Sequence, residues 1–107
     1  MNLPKVIADL VTAQNQFDSA AYANCFSETA LVLDEGKTHT GRQAIQDWID
    51  ESNKKYQSVM KPLSITQEDT TSILSAECSG SFPGSPIVLK FHFGMSDGLI
   101  QTLKVTG

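Results

Sequence analysis

Basic side chains are scarce in this chain: eight lysines and arginines stand against twelve aspartates and glutamates, and Arg42 is the lone arginine. A nucleic-acid or anionic-membrane partner requires clustered positive charge, so a net charge of -4 with scattered lysines argues against both. Cysteine is equally sparse. Cys25 and Cys78 lie far apart without metal-type spacing, and His39 and His92 do not complete a ligand set, so no metal is expected. No apolar run approaches the ~18 residues of a membrane span. Lys5 and Asp9 interrupt the apolar residues near the start, leaving no secretory core segment. The expected address is therefore the cytoplasm, with both thiols reduced and buried as small hydrophobes. Without a P-loop, a GxGxxG or a G-x-S-x-G motif, phosphoryl transfer, zinc chemistry and hydrolysis by an activated Ser or Cys have no residues to carry them. No cofactor is expected.

What remains is ordinary globular composition: 107 residues, 40% hydrophobic and 19% charged, enough for one core and too little for two. The chain reads as a single domain over residues 1–107. Its apolar period changes once, from helical to strand-like. Val6, Ile7, Leu10 and Val11 recur at helical spacing, with Pro4 in the first turn. Asp18 is a good N-cap for a short second helix running to about Cys25 or Phe26, with Phe17 stapled onto Tyr22. Ala30–Asp34 is a short apolar strand stopped by Glu35-Gly36. A third helix follows Thr40, which forms a T-x-x-Q capping box with Gln43. It puts Ile45, Trp48, Ile49, Ser52 and Tyr56 on one face, Asp50–Lys54 and Glu51–Lys55 on the other, and ends at Pro62.

Beyond Pro62 the alternation is that of strands. Leu74, Ala76, Cys78, Gly80 and Phe82 share one side. With Pro83-Gly84-Ser85-Pro86 as the loop, Phe82 faces Ile87, Cys78 faces Phe91, Ala76 faces Phe93, and His92 lies outside opposite Glu77. A three-residue turn at Ser96-Asp97-Gly98 keeps Leu99, Gln101, Leu103 and Val105 on the inner face. A two-residue turn would put Thr102 and Lys104 inside and is rejected. The expected class is α+β: helices first, then an antiparallel meander with one buried face.

Few polar residues stand out as chemistry. Asp34 closes an apolar strand, where a carboxylate either caps the turn or sits at the mouth of a cavity. In the second place desolvation raises its pKa and makes it a usable general base. His39 could complete a carboxylate–imidazole pair if its loop folds back; otherwise it is a solvated loop histidine. Gln101 is the polar exception on the inner face. Its amide needs a ligand, a water or a neighbour such as Tyr22, because a buried unpaired amide costs about 1–3 kcal/mol. Trp48 is either core or a cavity wall.

The run Phe17-Asp18 … Tyr22 … Cys25-Phe26-Ser27-Glu28-Thr29-Ala30-Leu31-Val32-Leu33-Asp34-Glu35-Gly36 … Thr40-Gly41-Arg42-Gln43-Ala44-Ile45 resembles the N-terminal signature of the nuclear transport factor 2-like superfamily. That superfamily includes SnoaL-like proteins and ketosteroid isomerases. Phe91-His92-Phe93 … Asp97-Gly98-Leu99-Ile100 is similar to its final hairpin. The resemblance implies a cone of three helices on a strongly curved sheet (the cystatin-like fold), a central pocket and a homodimer. It also puts Asp34 at the position of the isomerases' catalytic base. Where they carry an oxyanion-donating tyrosine on the first helix this chain has Leu10, and where they carry a protonated aspartate it has Phe91.

Three functions follow. The leading one is a domain that binds a small apolar molecule in a pocket lined by Leu10, Tyr22, Trp48, Phe91, Phe93 and Gln101. The second is an isomerase or polyketide cyclase-type enzyme with Asp34 as base, assisted by His39 or Tyr22. The third is a dimerising module whose interior is filled by Phe82, Phe91, Phe93 and Trp48.

Overall fold

A computed structural model describes residues 1–107. Helix α1 spans Lys5–Asn15 and buries Ile7, Leu10, Ala13 and Gln14 along one stripe. Its outer face carries an exposed Lys5–Asp9 pair at 2.8 Å. The chain then reverses through Phe17, which takes a left-handed φ of 55° and stays 44% exposed. The expected staple onto Tyr22 therefore does not form. Asp18 does cap helix α2 (Ser19–Asn24), accepting from the Ala21 N–H at 3.0 Å. Tyr22 packs instead on Phe26 and Trp48, with ring centroids 5.6 and 6.2 Å away.

Strand β1 is longer than its apolar core suggests, running Phe26–Asp34. It turns through Glu35 and Gly36, both at positive φ, straight into strand β2 (Lys37–Thr40). Two consecutive positive φ values make the hairpin turn whose twist matches its strands. Residues 37–40 are thus paired strand, not loop, and His39 lies opposite Val32. Helix α3 (Arg42–Tyr56) starts after Gly41, whose φ of 89° takes the N-cap position. The expected Thr40–Gln43 capping box is absent: no side chain caps this helix, and Gln43 donates to Asp47. Arg42 instead ties the helix start to the sheet through the Phe26 carbonyl, at 2.8 and 3.2 Å. Asp50 and Lys54 pair at 3.0 Å, while Lys55 lies over the Tyr56 ring and leaves Glu51 unpaired.

Helix α3 ends at Tyr56 and a left-handed Gln57, so Pro62 does not terminate it. Pro62 sits within strand β3 (Val59–Glu68), at an irregularity in its pairing with β4 (Thr71–Ser79). β3 is the sheet's edge, where a missing N–H is tolerated. Strands β5 (Ile87–Ser96) and β6 (Leu99–Thr106) complete a six-stranded sheet of order β2-β1-β6-β5-β4-β3. The sheet is mixed, not wholly antiparallel, because β1 and β6 run parallel.

Both expected registers are corrected. β4 pairs with β5 as Cys78–Ile87, Ala76–Leu89 and Leu74–Phe91, because Gly80–Pro86 all belong to the connection. The slip is by an even number of residues, so the same side chains still face inward. His92 consequently lies opposite Ile73, not Glu77, and bonds Thr106 at 2.9 Å. The β5–β6 turn has two residues, Asp97 and Gly98, both at positive φ. A bulge follows: Met95 pairs with Ile100, but Gly94 pairs with Thr102, so Gln101 is the extra residue. That extra residue returns Leu103 and Val105 to the inner face.

Eighteen buried residues form one core cluster between the helices and the concave side of the sheet. Phe26, Phe93, Ile7, Leu10, Ile45 and Leu74 are among its fully enclosed members. No helix is long and apolar enough to cross a membrane.

Candidate functional site

Beside this core the helices and sheet leave a cavity of about 490 Å³, within the range of small-molecule sites. Trp48 and Ile49 of α3 form one wall, Met60 and Cys78 of β3 and β4 another, and Leu89 and Phe91 of β5 part of the floor. Phe82 and Pro83, from the β4–β5 connection, complete the rim. Gly80 lets this rim close against α3. A Cβ there would stand 2.5 Å from the Tyr56 carbonyl oxygen and 3.0 Å from the Ser58 Cα.

Asp34, at the end of β1, lines the cavity together with Glu35. Burial pushes its carboxyl above the usual carboxylate range, and the neighbouring Glu35 charge adds to the rise. His39 and the Glu35 backbone N–H pull the other way. A carboxylate whose charged form is poorly solvated holds a proton more readily, which is what a general base must do.

Tyr22 reaches the same cavity from α2 and is only 3% exposed. Burial, then the Asp34 charge, drives its pKa upward, so the phenol keeps its proton. The hydroxyl has no hydrogen-bond partner in the protein, yet no polar side-chain atom sealed from solvent lacks one. The hydroxyl therefore opens onto the cavity as a free donor.

Of the other residues singled out from sequence, Trp48 and Phe91 line the cavity, whereas His39, Leu10, Phe93 and Gln101 do not. His39 stacks on the Trp48 indole at 5.2 Å and acts on Asp34 only through its charge. Leu10 and Phe93 are fully enclosed in the core. Gln101, displaced by the bulge, accepts from the Ser27 hydroxyl and donates to the Thr29 carbonyl and hydroxyl. Its amide is satisfied by β1, not by a ligand or by Tyr22.

Gln14 and Cys78 line the cavity without having been singled out. For Gln14 a signal existed: it continues the Ile7–Leu10 stripe of α1, so a polar side chain there had to face inward. Cys78 is a free thiol that burial pushes up to about 11, which keeps it protonated and a poor nucleophile. Cys25, also free, is raised to about 11 by burial and belongs to the core. No cluster of His, Cys, Asp and Glu has the arrangement to hold a metal ion.

Among solved structures, a candidate polyketide cyclase from Sinorhizobium meliloti is similar along nearly its whole length. It is 34% identical with a TM-score of 0.93, covering 97% of this chain and 95% of that one. The chain belongs to the nuclear transport factor 2-like superfamily. A protein of ketosteroid isomerase-like fold from Catenulispora acidiphila, in complex with trimethylamine, shares that fold. It has a TM-score of 0.88 at 15% identity over 99% of this chain and 87% of that one. So does SalBIII, an epoxide hydrolase/cyclase-like enzyme of pyran ring formation in salinomycin, with a TM-score of 0.75 at 19% identity over 94% and 86% of the two chains. No protein-family model and no curated protein sequence matches the chain. Phe91 presents a bare ring to the cavity, whereas Leu10 is closed in the core.

Proposed function

We propose that this superfamily member binds a small, largely apolar carbonyl compound in the cavity and removes a proton alpha to the carbonyl. Asp34 is the general base, and the Tyr22 hydroxyl donates to the oxygen on which charge develops. The observation that carries the proposal is the pairing, in one apolar cavity, of a carboxyl raised by burial with an unpartnered phenol. Proton removal beside a carbonyl begins both double-bond isomerisation and aldol-type ring closure, so isomerase and cyclase are two outcomes of one first step. The candidate cyclase from Sinorhizobium meliloti, at 34% identity, favours ring closure. His39 is a positioning residue, which buttresses Trp48 and moderates the rise of the Asp34 pKa. The homodimer belongs to the same proposal: Leu63, Ile87 and Val88 are large apolar side chains exposed on β3 and β5, and light scattering measures the mass directly.

The test uses 2-tetralone, a bicyclic ketone with exchangeable alpha protons. In D₂O the protein should accelerate their replacement by deuterium, saturably and as followed by NMR. Asp34→Asn should lose about 10²–10⁴-fold of that acceleration, the usual contribution of a general base, while 2-tetralone still quenches Trp48 fluorescence. Exchange as fast in Asp34→Asn as in wild type would remove Asp34 from the mechanism. Quenching without any acceleration would leave a binding domain.

A further inference from the structure

The cavity has a second polar point, away from the β1–β2 turn. Gln14, on α1, is 7% exposed and lines the cavity. Its Nε2 donates to the Ser58 carbonyl oxygen at 2.6 Å and to the Asn53 Oδ1 at 3.0 Å. A backbone carbonyl can only accept, so the contact with Ser58 fixes which end of the amide is nitrogen. Both N–H bonds are then used within the protein. The opposite end, Oε1, has no donor. Because no enclosed polar side-chain atom lacks a partner, that oxygen opens onto free space, and the space Gln14 borders is the cavity.

Helix α3 carries a neighbour of each of the two polar points. Trp48 packs on Tyr22, whereas Asn53 holds Gln14. Five residues of helix separate Trp48 from Asn53, a rise of about 7.5 Å along the axis. Two fused six-membered rings span a distance of that order between substituents at opposite ends.

We infer that the Gln14 Oε1 is a specificity element that accepts a hydrogen bond from a ligand hydroxyl at the end opposite the reacting carbonyl. The ligand class is therefore a hydroxylated cyclic ketone, not a plain hydrocarbon ketone. This rests on the proposed carbonyl-binding role of the cavity and adds the polarity of its far end. An acceptor with no partner inside an apolar wall discriminates strongly. A hydroxyl satisfies it, whereas an ether or a carbon group leaves it unpaired or meets it with another acceptor.

The test compares 2-tetralone, 6-hydroxy-2-tetralone and 6-methoxy-2-tetralone by quenching of Trp48. The hydroxy ketone should bind wild-type protein about five- to tenfold tighter than 2-tetralone, the worth of one buried hydrogen bond. The methoxy ketone, which cannot donate, should bind no tighter than 2-tetralone. In Gln14→Met the preference for the hydroxy ketone over 2-tetralone should vanish. Equal binding of all three ketones to wild type, tight binding of the methoxy ketone, or a preference that survives in Gln14→Met would overturn the role of Gln14 while leaving the cavity reading intact. No binding of any of the three would overturn both. The wild-type comparison decides the matter even if Gln14→Met unfolds for want of its bond to Ser58.

Discussion

Tyr22 and Asp34 line one cavity from different elements, and the charge of the Asp34 carboxylate helps hold the proton on the buried Tyr22 phenol. A phenol that stays protonated remains a donor throughout the pH range in which the carboxylate is an effective base. Under the proposed function the Tyr22 phenol is the group that stabilises the oxyanion, and Asp34 is the base.

Tyr22→Phe isolates the donor. The hydroxyl bonds nothing in the protein, so its removal should leave the melting temperature unchanged or slightly higher. Deuterium exchange into 2-tetralone should slow by about 10²-fold, the usual loss on removing an oxyanion donor. Calorimetry and NMR read the two effects separately. Unaltered exchange would show that the hydroxyl plays no part.

Asp34 should titrate above the ordinary carboxylate range when its side-chain carbon is followed by NMR, because burial disfavours its charge. The sign for stability follows from linkage. The folded state binds the proton more tightly than the unfolded state, so stability falls as pH rises from the ordinary carboxylate pKa through the raised folded value. Asp34→Asn removes that penalty. Its melting temperature should exceed that of wild type at neutral pH, and the difference should shrink as pH drops through the same window. A variant less stable than wild type at pH 7 would mean that the carboxylate is better satisfied than its surroundings indicate.

Gly80→Ala tests how the cavity rim is closed. The added Cβ would meet the Tyr56 carbonyl and the Ser58 backbone, which cannot rotate away as a side chain could. Urea unfolding should show a loss of about 1–3 kcal/mol, typical of overpacking. Because Tyr56 and Ser58 both line the cavity, Trp48 quenching by 2-tetralone should weaken as well.

Much of the fold was legible because burial leaves a period in the sequence. The Ile7–Leu10 stripe, the Leu74–Ala76–Cys78 alternation and the apolar run closed by Asp34 located α1, β4 and β1, although β1 begins already at Phe26 and β4 stops at Ser79. Features without such a period were not legible. β2 reads Lys-Thr-His-Thr and has no residue in the core, so nothing in its pattern separates it from a loop. The parallel β1–β6 pairing joins segments from opposite ends of the chain, and no local signal encodes it. The bulge at Gln101 reversed a sound argument. A two-residue turn does invert the register, but one extra residue inverts it again. The same bulge removed Gln101 from the cavity, while Gln14, ordinary in composition, became its buried acceptor.

The central claim, that Asp34 acts as a base inside this cavity, is tested most directly by the pH profile of deuterium exchange into bound 2-tetralone. The predicted rate rises with pH, and its midpoint coincides with the Asp34 midpoint from NMR, above the ordinary carboxylate value. A rate independent of pH, or one that follows a midpoint unrelated to Asp34, would contradict the account.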